Sequence, residues 1–99
     1  KILVQKNVIM IWGWCVLKDV RYNNLHPVKV ILEGRDKVYC VDTSRIYREK
    51  MDRLSGVDAK CNLSSFCMSL KTEDIVEGEY QVYLMKKGQL FHTGKTVRK

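Results

Sequence analysis

The chain has 99 residues, of which 45% are hydrophobic, 29% are charged and only one is proline, and its formal net charge is +7. That balance excludes a disordered or low-complexity segment and fits one ordinary globular domain, long enough to bury a core of its own. The first residue is Lys1 rather than methionine and an apolar segment begins soon after it, so the expectation is a single domain spanning 1–99, excised from a longer protein.

The first element is the apolar run VIMIWGWCVL at 8–17. A membrane-spanning helix needs about 20 apolar residues, whereas this run is closed by Lys6-Asn7 on one side and Lys18-Asp19 on the other. No small-residue cleavage site of a secretory signal accompanies it. Its β-branched and aromatic content predicts a strand. Alternation would set Val8, Met10, Trp12 and Trp14 on one face and Ile9, Ile11, Gly13 and Cys15 on the other. Both faces are apolar, which predicts a central or twice-covered strand. Asn23-Asn24 and His26-Pro27 then break the pattern. VKVILEG at 28–34 sets Val28, Val30 and Leu32 on one face, and with KVYCV at 37–41 it predicts a hairpin joined by the polar loop Gly34-Arg35-Asp36.

Alternation lapses in SRIYREKMDRL at 44–54. Ser44 suits an N-cap, and Ile46, Met51 and Leu54 have rough helical spacing, so a long basic connection with one or two helical turns is predicted. SFCMSL at 65–70 predicts a strand, KTEDIVEG at 71–78 a turn-bearing connection, and EYQVYLM at 79–85 the most regular strand of the chain. In that strand Tyr80, Val82 and Leu84 oppose Gln81, Tyr83 and Met85. Lys86-Lys87-Gly88-Gln89 turns the chain into LFHTG, and Gly94 precedes a last short strand at Thr96-Val97. About seven short strands with one short helical connection predict an all-β, immunoglobulin-like antiparallel sandwich. Its expected core includes Met10, Trp14, Val30, Phe66, Val82 and Leu84.

The order WGWCV, a hairpin ending in a Tyr-containing strand, YREKM in a basic loop, SSFCMSL, EDIVEGEYQVYL and finally HTGKTVRK resembles the small β-sandwich accessory domains of bacterial cell-envelope proteins. Such domains are appended to glycosyltransferases, polyol-phosphate transferases and related membrane proteins of surface-polymer synthesis. Gly13-Trp14-Cys15 matches a Gly-Trp-Ala motif with cysteine for alanine, and Glu77-Gly78-Glu79-Tyr80 matches the entry to the penultimate strand. Arg48 stands where that family has a loop arginine, while Lys50 and Met51 replace Asp-Val and Ser65 replaces glycine. The resemblance implies a non-catalytic module attached to a membrane-associated parent in the cell envelope, with parent-chain domains or envelope proteins as partners. It supplies no catalytic residues.

Side chains that could carry chemistry are sparse. Cys15, Cys40, Cys61 and Cys67 allow three disulfide pairings. A zinc site would want paired Cys-x-x-Cys or Cys/His spacing, whereas Cys61 and Cys67 are six positions apart and His26 and His92 sit on separate segments. No metal or cofactor is expected. Cys15 and Cys40, set among strand apolars, read as buried free thiols, and both histidines as surface residues. Cys67 with either histidine lacks a third orienting group, so no enzyme is expected.

The positive charge clusters at Arg45, Arg48, Lys50 and Arg53, the candidate basic interaction surface, and again at Lys86-Lys87 and at Lys95, Arg98 and Lys99. Such a surface attracts anionic glycans, lipid headgroups or nucleic acid, or simply keeps a small domain soluble. Tyr22, Tyr47, Phe91 and the two tryptophans could stack on a ligand, although a Trp-Gly-Trp strand in a small sandwich reads as core rather than platform. Three functions remain open. The first is an accessory or interaction domain of an envelope polysaccharide or surface-polymer synthesis protein. The second is a carbohydrate-binding module, which needs two aromatic side chains together on an exposed face. The third, disfavoured, is a small basic nucleic-acid-binding β-domain, whose aromatic-rich basic motif is missing.

Overall fold

The computed structural model describes residues 1–5, 7–15, 17, 26–46 and 65–99. Among them the chain forms eight strands: β1 (Ile2–Val4), β2 (Val8–Trp14), β3 (Val28–Glu33), β4 (Val38–Asp42), β5 (Ser44–Ile46), β6 (Ser65–Lys71), β7 (Glu79–Lys86) and β8 (Gln89–Arg98). They assemble as two antiparallel four-stranded sheets, ordered β1-β2-β6-β5 and β4-β3-β7-β8. The chain changes sheets at Thr43, whose hydroxyl donates to the Val28 carbonyl at 2.5 Å. It changes again through a single 3-10 turn at Thr72–Asp74 between β6 and β7.

The core lies between the sheets. Ile9, Ile11, Phe66 and Met68 meet Val28, Val30, Leu32, Tyr80, Val82 and Val97, with Ile75 of the β6–β7 connection closing one end. Each such side chain contributes about 1.5–3 kcal/mol on leaving water. In β3 the alternation of Val28, Val30 and Leu32 is as the sequence predicts, and Tyr80 and Val82 point inward from β7 as expected. Leu84 packs half-buried at the margin.

The face of β2 is reversed relative to expectation. Ile9 and Ile11 are inward, while Met10 is half-buried on the outer face and Trp14 is 53% exposed. The reason lies in the partner strand. β6 alternates Phe66, Met68 and Leu70 with Ser65, Cys67, Ser69 and Lys71, and the register sets Gly13, Ile11 and Ile9 beside the apolar set. The tryptophans fall beside Cys67 and Ser65. Met10 and Trp14 therefore leave the expected core, and Cys15, just past the strand end, joins it.

Two further expectations change, and one falls on residues that are not described. Ser44 does not cap a helix: it opens β5, which pairs with β6. Met51 and Leu54 of the expected helical connection lie outside the described residues. The segments at 90–94 and 96–97 are one strand carrying a bulge, since Gln81 pairs with Thr96 and Tyr83 with His92. Thr93, Gly94 and Lys95 thus oppose Val82 alone. Gly94 takes the left-handed conformation at φ 74°, and the Thr93 hydroxyl donates to the Val82 carbonyl at 2.7 Å while accepting from the Lys95 amide at 3.1 Å. The β7–β8 turn has positive φ at both Lys87 and Gly88, the combination whose twist suits a two-residue hairpin.

The β6–β7 connection is pinned by a pair of tyrosines. Tyr80 donates to the Val76 carbonyl four residues upstream, and the Tyr39 hydroxyl accepts from the Val76 amide at 3.0 Å. The two rings meet edge to face, centroids 5.7 Å apart. Lys99 adds a bond from its ammonium to the Ile75 carbonyl at 2.7 Å.

Candidate interaction surface

Of the candidate basic residues, Arg45 lies exposed in β5 at the sheet edge, in register with Phe66. Arg48, Lys50 and Arg53 lie outside the described residues. The other expected basic clusters disperse. Lys86 is 1% exposed, its stem in the interior and its ammonium donating to the Cys15 carbonyl at 2.6 Å, whereas its neighbour Lys87 is on the turn surface. Arg98 is paired in register with Glu79, and Lys99 is drawn back onto Ile75. A run of lysines in sequence thus becomes one buried and several separated cations.

What the fold brings together instead is a row of apolar side chains on the outer face of the β1-β2-β6-β5 sheet. Leu3 of β1 sits opposite Met10, and Val8, Met10, Trp12 and Trp14 run along β2 at every second position. Residues two apart on a strand are about 7 Å from each other on one face. Trp12 is half-buried and Trp14 is exposed, so the two indoles are neighbours on a surface. Ser44, Cys67 and Ser69 lie on the same face. Ser65, opposite Trp14, is 3% exposed, and its hydroxyl has no hydrogen-bond partner among the described residues. The signal in the sequence was the β6 alternation: once β2 is paired with it, Ser65, Cys67 and Ser69 mark the outer side.

The outer face of the second sheet carries a polar group around Tyr83. Its hydroxyl donates to Gln81 Oε1 at 3.1 Å, with Glu33 Oε1 at 3.5 Å, and its ring meets His92 edge to face at 4.7 Å. His92 Nδ1 accepts from the Gly94 amide at 2.8 Å, which leaves Nε2 to donate to Gln81 Oε1 at 3.1 Å. Partial burial and then the Glu33 carboxylate push the Tyr83 phenol up from its ordinary value. Burial and then Tyr39 do the same to Tyr80.

The thiols of Cys15, Cys40 and Cys67 are free. Cys15 is buried as expected, and burial pushes its thiol up against the opposing pull of the Lys86 ammonium. Cys40 is exposed, contrary to expectation, because β4 is an edge strand and its alternation turns Tyr39 and Val41 toward the core. Cys61 lies outside the described residues. His26 is half-buried and His92 is exposed. Among the described residues no three His, Cys, Asp or Glu side chains gather into a metal-binding group, and no helix is long and apolar enough to cross a membrane. The chain matches no protein-family description, no curated protein and no solved structure.

Proposed function

We propose that this domain is a non-catalytic interaction module of immunoglobulin-like type, serving a cell-envelope protein of polysaccharide or surface-polymer synthesis. The strand order supports the fold reading: numbering β1 to β8 as A, B, C, C′, D, E, F and G yields A-B-E-D facing C′-C-F-G, the immunoglobulin arrangement. Tyr80, at the start of the penultimate strand and bonded back to Val76, takes the place of the tyrosine corner of such sandwiches. The envelope context rests on the resemblance of WGWCV and EGEYQVYL to accessory domains of that setting. The observation that carries an interaction role is the outward Trp12 and Trp14, since exposed apolar rows on small domains mark binding surfaces.

The same pair favours a second reading, carbohydrate binding. Two tryptophans on one face of a strand, their backbone positions about 7 Å apart, offer apolar rings to a sugar, with serine hydroxyls alongside. Deleting residues 1–99 from the parent protein, and separately changing Trp14→Ala, tests both readings. The accessory role expects altered assembly, location or acceptor use of the parent from either change, with no saturable binding of soluble oligosaccharides by the isolated chain. Saturable oligosaccharide binding lost in Trp14→Ala makes it a carbohydrate-binding module. A parent indifferent to both changes overturns the proposal. Salt-sensitive binding to single-stranded nucleic acid, weakened in Arg45→Ala, would instead favour the basic nucleic-acid reading.

A further inference from the structure

The two sheets do not close against each other on the side where β1 and β8 are the edge strands. A cleft of about 140 Å³ opens there, its walls Ile2, Ile11, Phe66, Val82 and Leu84, with Trp12, Gly13 and Trp14 along one lip. Two features of the sequence produce it. Gly13 lies on the inward face of β2 beside Phe66 and contributes no side chain, and the bulge at Thr93–Gly94–Lys95 pulls the rim of β8 out of the regular ladder. The remaining residues of the rim are Thr93 and two lysines, Lys1 and Lys95, both exposed. Among the described residues no carboxylate lines the cleft. Neither lysine side chain has an ion-pair partner among the described residues, whose one salt bridge joins Lys29 to Asp42.

We infer that this cleft is a binding site for a small amphiphilic carboxylate, with the apolar body between the sheets and the anionic head held by Lys1 and Lys95. Size and charge make the case together. An apolar cavity of about 150 Å³ accommodates a six-carbon ring, so the volume here suits a body of about six carbons. Apolar walls select such a body over a sugar or nucleotide. The two uncompensated cations at the mouth select an anion over a neutral or cationic head, because both charges gain a partner without a prior ion pair having to break. This site lies between the sheets and shares Trp12 and Trp14 at its lip with the outer face of β2 on which the interaction role rests, and the two are separable by ligand and by changes at Gly13 and Lys95.

Both tryptophans of the chain line the cleft, so intrinsic fluorescence reports its occupancy. Titration of the 99-residue chain with hexanoate should change tryptophan emission saturably, with a Kd in the millimolar range. Hexanol should bind at least about threefold more weakly, and hexylamine should give no saturation. Lys95→Gln, an exposed change, should weaken hexanoate about three- to tenfold while leaving hexanol unchanged. In Gly13→Val the new side chain grows into the cleft from a Cβ at an ordinary 3.7 Å from the Phe66 ring, and hexanoate binding should be lost with the fold intact by circular dichroism. The inference is overturned if hexanoate produces no saturable change, if hexylamine matches it, or if Lys95→Gln leaves its affinity unaltered. Should Gly13→Val fail to fold, the comparison of head groups and Lys95→Gln still decides the matter. Oligosaccharide binding that persists in Lys95→Gln and Gly13→Val bears on the outer face alone.

Discussion

Gly34→Ala probes the contact that holds the two tyrosines in place. A Cβ at Gly34 would stand 2.6 Å from Cε1 and 2.9 Å from Cδ1 of Tyr80, and 3.3 Å from the Lys37 carbonyl oxygen. Carbon atoms in good contact are about 3.5–4.0 Å apart, so the ring must retreat by about 1 Å. It has little freedom to do so. Tyr80 is 2% exposed, Tyr39 meets its ring, and its hydroxyl is committed to the Val76 carbonyl. Overpacking of this kind costs about 1–3 kcal/mol, and a displacement of that size also breaks the hydroxyl bond, worth about 1 kcal/mol. The sum is a loss of about 2–4 kcal/mol, which for a domain of this size lowers Tm by about 8–30 °C. Tyr80→Phe alone should cost about 1 kcal/mol. If Gly34 acts by displacing that hydroxyl, the double variant should fall short of the summed losses by about 1 kcal/mol, since both changes remove one bond. Thermal unfolding of the four proteins measures this directly. A Gly34→Ala melting point within about 3 °C of the parent, or strict additivity with Tyr80→Phe, would refute the reasoning.

Adjacent lysines should respond in opposite directions. Lys86→Ala removes a buried aliphatic stem and its bond to Cys15 and should cost about 2–4 kcal/mol, whereas Lys87→Asn, at a φ of 51°, should gain about 0.5 kcal/mol because asparagine tolerates that conformation better. Urea denaturation distinguishes them. Ser65→Ala deletes a buried hydroxyl that has no partner among the described residues and should leave stability unchanged or raise it by up to about 1 kcal/mol; a clear loss would mean that the hydroxyl is satisfied in solution. Iodoacetamide on the native protein should label Cys40 quickly and Cys15 only on unfolding, since Cys15 is 9% exposed and its thiol is held up by burial. Comparable rates by peptide mapping would contradict that. The folded protein raises the Tyr80 phenol above its ordinary 10.0, favouring the protonated form, so its contribution is fully present below pH 10.0 and is lost as the pH climbs through the higher folded value. Melting points should fall across that alkaline range, and less steeply in Tyr80→Phe.

Local pattern settled the strands whose two faces differ. Val28, Val30 and Leu32 alternate with Lys29, Ile31 and Glu33, and Tyr80 and Val82 with Gln81 and Tyr83, so each strand announces its buried side regardless of its neighbours. The Gly34-Arg35-Asp36 loop and the Lys87-Gly88 turn were legible for a related reason: tight reversals demand a few residue types, and those residues stand where the apolar runs stop. Alternating strands joined by short turns then leave few ways to bury their faces other than two stacked sheets.

Tertiary structure decided whatever depended on a partner distant in the chain. β2 is apolar on both faces, and only its register with β6, more than fifty positions away, turned Ile9 and Ile11 inward and left Trp14 on the surface. β1 and β5, at three residues each, are too short to carry a periodic signal and exist because β2 and β6 offer them an edge. Lys86 and Lys87 are indistinguishable as letters, yet one ends a strand facing the interior and the other begins a turn in water. Amino-acid type and spacing determined which segments would be strands and where the chain would reverse; which face met which, and so the tryptophan row and the cleft beneath Lys1 and Lys95, followed from the pairing of remote strands, because a side chain's exposure belongs to the assembled sheet and not to the strand that carries it.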